Sequence, residues 1–274
     1  MEFSLFQVER VDYAVLVTMN RPKKHNAMGR TFWAELREIF QSLSKDPEVR
    51  AVVLCGSGKQ FCAGLDLGDN LAPLLRKGGG AGLDFGLAQA FLREIQDSFR
   101  AVEQCPTPVI AAVHGACMGA GLDLIAACDL RLAAKNARFS LRESKVGMVI
   151  DLAAIARLAP IIGEGHAREL AFTAKEIDAR RAGEIGLISD ILPDRKECIN
   201  AAMEIARQIA QNSPLSVQLG KQAANHQREQ APLPAAELIA QKNAQLLCCA
   251  DVIHAFLSEQ PRRQSNRKSR EPSD

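Results

Sequence analysis

Three carboxylates, Asp123, Glu143 and Asp151, each stand just after a glycine-marked turn or loop in an otherwise apolar middle segment of the chain. Removing a carboxylate from water is costly, so an acid among aliphatic side chains needs a chemical reason. Several carboxyls in one apolar pocket divide into neutral and ionised forms, and that division is what moving protons on and off carbon requires. Each acid also has a plainer structural reading. Asp123, three residues after Ala120, suits the first turn of a helix; Glu143 suits a surface ion pair with Arg142 or Lys145; Asp151 suits the N-cap of the segment 152–156.

Two small-residue turns lie near these acids in the sequence. Gly119-Ala120-Gly121 follows an expected strand and opens an apolar helix over 122–127, where unsatisfied N–H groups and the helix dipole favour negative charge. Phe61-Cys62-Ala63-Gly64-Leu65-Asp66-Leu67 follows a strand and the loop Gly56-Ser57-Gly58, and supplies a second donor. Two backbone donors meeting on one oxygen form an oxyanion hole, each typically worth about 3 to 4 kcal/mol of barrier. Taken singly, each is also an ordinary tight turn. His114 ends an apolar strand beside these turns and reads as a structural histidine; His25, His166, His226 and His254 have no metal-ligand spacing, so no metal is expected. Neither phosphate-binding glycine motif is present in its required setting, which disfavours ATP and dinucleotide chemistry.

The elements that must position these groups follow from pattern. Short β-rich runs at 13–19, 49–55 and 109–113 predict strands, and helical spacing predicts helices over 31–44 and 87–103, stopped at Asp46-Pro47 and Cys105-Pro106. That alternation describes right-handed crossover units on a largely parallel sheet. The glycine-rich stretch 76–82 reads as a mobile surface loop, close enough after Asp66 to act as a lid. Beyond Ala159-Pro160 the pattern predicts an almost wholly helical part, with helices over 163–173, 178–185, 195–211, 214–227 and 235–258.

Composition bounds the rest. With 274 residues, 47% hydrophobic and 24% charged, the chain is long enough for one large core, and a net charge of +2 gives no reason to expect a polyanionic partner. The basic tail with Arg262, Arg263, Arg267, Lys268 and Arg270 reads as solvated chain. Cys55, Cys62, Cys105, Cys117, Cys128, Cys198, Cys248 and Cys249 sit mostly in aliphatic runs without Cys-x-x-Cys spacing, as buried reduced thiols do. No signal peptide, membrane span or peroxisomal address is read, and a cytoplasmic, bacterial setting is expected.

Several motifs occur together: Asn20-Arg21-Pro22 with Asn26-Ala27-Met28, then Phe61 to Asp66, Val109 to Asp123, Cys128-Asp129 and Phe139 to Gly147. On these the chain resembles the crotonase (enoyl-CoA hydratase/isomerase) superfamily over about residues 5–258. The resemblance implies an α/β fold, a crotonase-like (ClpP/crotonase) spiral of ββα units. The implied division is a core with the acyl-CoA site over 1–195, a helical trimerisation region over 196–260, and a basic tail over 261–274. It further implies an acyl-CoA thioester substrate, no cofactor beyond the coenzyme A of that substrate, and a homotrimer or a dimer of trimers; the spacing, hydropathy and charge given above are the reasons to expect neither metal, membrane nor nucleic acid as partner. By motif position the oxyanion donors are the N–H groups of Leu65 and Ala120, and Ala63, Gly64, Asp66, Leu67 and Gly121 line the CoA-thioester channel.

Within this superfamily the acids select the reaction. Hydratases resemble the chain at Glu143 but have glutamate in place of Asp123 and a glycine-rich stretch in place of Asp151. The set Asp123, Glu143 and Asp151, with His114-Gly115-Ala116-Cys117, resembles the Δ3,5-Δ2,4-dienoyl-CoA isomerase branch. The implied roles are Glu143 as base at carbon 2, Asp151 as acid at carbon 6, and Asp123 as the group that orients and tunes the base. The chain departs from that branch at Leu152-Ala153-Ala154, where a glycine is expected soon after the aspartate, and the added methyls narrow the acyl pocket or shift Asp151. Alternative readings are a 2-enoyl-CoA hydratase, a Δ3,Δ2-enoyl-CoA isomerase and a non-catalytic RNA-binding homologue.

Overall fold

The run Ala51-Val52-Val53-Leu54-Cys55 is apolar at every position because both faces of its strand are covered. Successive side chains of a strand point to opposite faces. Val52 and Leu54 join a cluster with the helices of one side, whereas Ala51, Val53 and Cys55 pack on the other side with Cys198, Ala202, Met203 and Ala206. The computed structural model describes residues 3–70, 85–148 and 154–229. The glycine-rich stretch 76–82, Asp151, the segment 235–258 with its adjacent cysteines Cys248 and Cys249, and the basic tail lie outside the described residues.

Among the described residues the main sheet has six strands in the order β1-β2-β3-β4-β6-β9, formed by Phe6–Val11, Ala14–Met19, Ala51–Gly56, Val109–Val113, Leu130–Ala134 and Asp190–Leu192. β1 and β2 form an antiparallel hairpin across Asp12-Tyr13, and the remaining pairs are parallel. A second sheet joins β5 (Ala116–Met118), β7 (Arg138–Ser140) and β8 (Ile177–Asp178). The expected parallel core at 13–19, 49–55 and 109–113 is present within two residues at each end.

On one face lie α1 (Arg30–Leu43), α2 (Phe85–Glu103) and α3 (Ala120–Ala126). α1 buries Phe32, Trp33, Leu36, Ile39, Phe40 and Leu43, the stripe of an amphipathic helix, and Trp33 meets the Phe99 ring of α2 edge-on at 5.8 Å. α4 (Ala154–Ile162), α5 (Glu164–Thr173) and α6 (Ala179–Glu184) follow, and α7 (Arg195–Ala210) covers the other face of the main sheet. α8 (Pro214–Glu229) is docked by a nearly buried ion pair from Lys221 to Asp129 at 2.6 Å and by Asn225 donating to the Glu103 carbonyl at 2.9 Å.

One expectation needs correction. The region after Ala159-Pro160 is not almost wholly helical: β8 and β9 lie within it, and β9 extends the main sheet beside β6. At two and three residues these strands are too short to show a period-2 pattern, and their pairing rather than their sequence stabilises them. Pro160 lies inside α4, which runs on through it to Ile162. A proline this near the C-terminal end removes one backbone donor, and the helix stops within a turn.

Candidate active site

The first small-residue turn is held by the segment before α1. His25 and Asn26 both take left-handed backbone, with φ of 52° and 55°. The buried Asn26 amide then bonds in four directions: Oδ1 accepts from Arg21 N–H at 2.9 Å, and Nδ2 donates to the carbonyls of Ser57 at 2.9 Å, Gln60 at 2.9 Å and Phe61 at 3.0 Å. Downstream, Met28 N–H donates to Gly64 O at 2.9 Å and Met28 O accepts from Asp66 N–H at 2.8 Å. A trans peptide is planar with its C=O and N–H opposed, so anchoring Gly64 O on Met28 turns the Leu65 N–H away from Met28. Gly64 itself has a φ of 92°, and a Cβ there would stand 2.8 Å from Met118 O and 3.9 Å from the Ala120 nitrogen. The two turns are therefore in contact, with the Gly64–Leu65 peptide beside the start of α3.

The second turn is set by main-chain bonds. Cys62 pairs with β5 through Cys62 N–H to Ala116 O at 2.9 Å and Met118 N–H to Cys62 O at 3.0 Å, and Gly119 N–H donates to Ser140 O at 2.8 Å. Gly119 then adopts φ 50° and ψ −122°, a combination open only to glycine, which swings the chain from β5 into α3. Ala120 opens that helix, so its N–H has no acceptor within the helix and faces outward from the end.

Glu143 opens a single 3₁₀ turn after β7 and is buried. Its Oε1 would lie 3.2 Å from a Cβ on Gly119, and its Oε2 has no hydrogen-bond partner among the described residues. Burial pushes its carboxyl above the usual range, and the N–H groups of Glu143 itself and of Arg142 only partly oppose that. The surface ion-pair reading of Glu143 is corrected: Arg142 instead reaches Glu176 at 3.3 Å, while Glu143 points inward. Asp123 is fully buried on α3, whose residues are buried throughout. Its charge, after burial itself, helps hold the Cys62 and Cys117 thiols up, with Cys62 at about 12. Its N–H bonds to Gly119 O at 3.2 Å, so it does occupy the first turn of a helix, but in a desolvated setting.

Leu65, Ala120, Gly64, Gly121 and Glu143 are thus brought together. Asp123 lies one turn further along α3, and Asp151 lies outside the described residues. Ala63 is exposed, with its N–H on His25 O at 3.0 Å; Leu67 is half-buried; and Asp66 pairs with Arg21 at 2.8 Å. His114 is buried with Nε2 3.1 Å from Gly58 O, and burial pushes its pKa down, as in a neutral structural histidine. Among the described residues no group of three or more His, Cys, Asp or Glu is placed to hold a metal ion. The site residues missed from sequence are Arg21 and Asn26, which build the first turn from outside it. Their motif was visible, but an amide that clamps three carbonyls at a distance of more than 30 residues leaves no periodic signal.

The fold and this pair of turns define a known class. The family model described as enoyl-CoA hydratase/isomerase matches residues 12–254, and the chain belongs to that family. Among curated proteins it is 39% identical to the mitochondrial Δ3,5-Δ2,4-dienoyl-CoA isomerase of Homo sapiens, over 86% of this chain and 73% of that protein. It is 35% identical to the peroxisomal Δ3,5-Δ2,4-dienoyl-CoA isomerase of Arabidopsis thaliana, over 89% of each. Among solved structures it resembles an enoyl-CoA hydratase/isomerase from Mycobacterium paratuberculosis with a TM-score of 0.84 at 26% identity, over 93% of this chain and 98% of that one. The expected α/β crotonase-like fold is borne out. The expected bacterial cytoplasmic setting is overturned, since the dienoyl-CoA isomerases it matches are named mitochondrial and peroxisomal eukaryotic enzymes.

Proposed function

We propose that the chain isomerises 3,5-dienoyl-CoA to 2,4-dienoyl-CoA. The thioester oxygen is held by the N–H groups of Leu65 and Ala120, which acidifies carbon 2. Glu143 takes a proton from carbon 2, and the electron pair spreads through an extended dienolate to carbon 6. Asp151, assigned from sequence, delivers a proton to carbon 6, leaving double bonds at carbons 2 and 4. Asp123 orients and tunes Glu143 without transferring the proton itself. One proton leaves and one arrives with no change of oxidation state, so coenzyme A enters only as part of the substrate. Ala63, Gly64, Asp66, Leu67 and Gly121 line the thioester channel, and the region 196–260 serves trimer assembly, to be checked by sedimentation of the full chain.

The observation that carries this reading is Gly119. Its backbone lies against the desolvated Glu143 carboxyl on one side and leads directly into the free N–H of Ala120 on the other. A base within reach of the carbon next to a polarised carbonyl is the arrangement that enolisation needs. The test is ultraviolet absorbance of the purified protein with a 3,5-dienoyl-CoA, in wild type, Glu143→Gln and Asp151→Asn, with a 2-enoyl-CoA run in parallel. A conjugated 2,4-diene signal lost in both variants supports the assignment. Hydration of the 2-enoyl-CoA that survives Asp151→Asn, with no diene signal, overturns it in favour of a hydratase.

A further inference from the structure

Cys62 touches both donor turns at once. Its main chain pairs with Ala116 and Met118 on the strand that leads into Gly119-Ala120. Its thiol donates to the Asn26 carbonyl at 3.2 Å and accepts from the Gly64 N–H at 3.2 Å. Its Cβ side is also the floor under α3, since a Cβ on Gly121 would stand 2.9 Å from Cys62 Cβ and 3.3 Å from its sulfur. The side chain is completely buried and, with its pKa at about 12, remains a neutral thiol that both donates and accepts.

We infer that Cys62 is a positioning residue for the oxyanion site, its thiol relaying between the Asn26 carbonyl and the Gly64 N–H so that the Leu65 donor keeps its place beside Ala120. The inference rests on the isomerase reading above. Gly64 at φ 92° has little steric restraint of its own, and two short bonds fix its peptide neighbourhood, Met28 N–H on its carbonyl and the Cys62 sulfur on its N–H, with the same sulfur a long 4.0 Å from its carbonyl. Loss of the sulfur releases one of the two short bonds and the long contact with it. The Leu65 N–H then samples directions away from the thioester oxygen, and a donor matters only when it is aimed where charge develops.

The experiment compares wild type, Cys62→Ala, Cys62→Ser and Cys117→Ala as full chains. Cys117 is the control, a thiol equally buried and directly paired with Cys62 across the bridge, but with no bond to Gly64. The readouts are kcat and KM with 3,5-dienoyl-CoA, and the red shift of the 2,4-dienoyl-CoA absorption on binding, which reports polarisation of the conjugated carbonyl. Cys62→Ala is expected to lower kcat about 10- to 100-fold, a part of what losing a whole donor costs. KM should move less than about threefold, and the red shift should shrink. Serine should recover most of both, and Cys117→Ala should lose thermal stability while keeping the red shift. If alanine unfolds the chain, Cys62→Val, which fills the space without an acceptor, is read in its place. Full red shift and kcat in a folded variant lacking the acceptor overturn the inference while leaving the oxyanion site standing. No red shift in the wild type removes the oxyanion reading itself, and the inference with it.

Discussion

The two turns proposed to carry the oxyanion donors lie against one another but are built by different means. The turn carrying Leu65 is held largely by side chains, beside the main-chain bonds of Met28 to Gly64 and Asp66: the Asn26 amide on three carbonyls, the Arg21 guanidinium on Asp66, and the turn's own Cys62 thiol on Gly64. The turn carrying Ala120 is held by main-chain bonds to Cys62 and Ser140, and by the torsions of one glycine at the entry of a buried helix. The first turn therefore has several separable supports, each open to substitution with a graded effect. The second has a single point of failure.

The sharpest break of that contrast is Gly119→Ala. A side chain is strained at φ 50°, and its Cβ would stand 3.2 Å from the Glu143 carboxylate, so donor and base are disturbed together. We expect kcat to fall by about 10³-fold, in line with loss of one preorganised donor, with the fold retained by far-ultraviolet circular dichroism. Activity within tenfold of wild type would mean that the second turn tolerates another path and that the contrast is false.

Asn26→Ala tests the other side. Its removal strips the buried Phe61 carbonyl and the partly buried carbonyls of Ser57 and Gln60 of a shared donor, and orphaned buried polar groups cost about 1 to 3 kcal/mol, less where water can reach them. Met28 and Cys62 would still hold Gly64. We expect a loss of about 2 to 3 kcal/mol in denaturant unfolding with kcat down only about 10- to 100-fold. A kcat loss as large as that of Gly119→Ala would show that the first turn also hangs on one residue.

How legible each turn was follows from the same difference. The second turn could be read directly, because Gly119-Ala120-Gly121 between a strand and an apolar helix is a local pattern, and its torsions are local too. The strands at 13–19, 49–55 and 109–113 and the helices at 31–44 and 87–103 were legible for the same reason, since their periods are written in consecutive residues. The supports of the first turn were not, because Asn26 and Arg21 act through contacts that close only in the folded chain. β9 was hidden likewise, being three residues recognised only by their pairing with β6. Asp123 and Glu143 announced themselves as acids in apolar sequence, but only the structure separates Glu143 from its surface reading.

Glu143, the proposed base, gives a pH test of smaller effect. Burial raises the Glu143 pKa in the folded state, so the folded protein keeps that proton to higher pH than the unfolded chain does. Activity that needs the carboxylate should rise as pH climbs through the raised value. Stability runs the other way, being lost as pH rises from the unfolded carboxylate value of about 4.3 through the folded one. Glu143→Gln should thus melt at the same temperature as wild type in acid and a few degrees higher at neutral pH. A variant less stable than wild type at neutral pH would show that the carboxylate is held by partners strong enough to outweigh its burial.

The smallest effect is expected at Arg21, and it is the most discriminating for the idea of separable supports. Its guanidinium spans Asp66 at 2.8 Å and the Ala27 carbonyl at 2.9 Å, joining the start and end of the segment that faces the first turn. Both partners are partly exposed, at 26% and 15% of their side chains, so water can replace much of what is lost. The pair is then worth no more than about 1 kcal/mol, or a factor of about five. Asp66 also keeps its main-chain bond to Met28 when Arg21 is gone. Arg21→Gln should therefore raise KM by about two- to fivefold with kcat nearly unchanged, because Asp66 borders the proposed channel and not the reacting carbons. If kcat falls while KM holds, Arg21 aims the Leu65 donor itself, and the first turn is a cooperative unit in which no support can be removed alone.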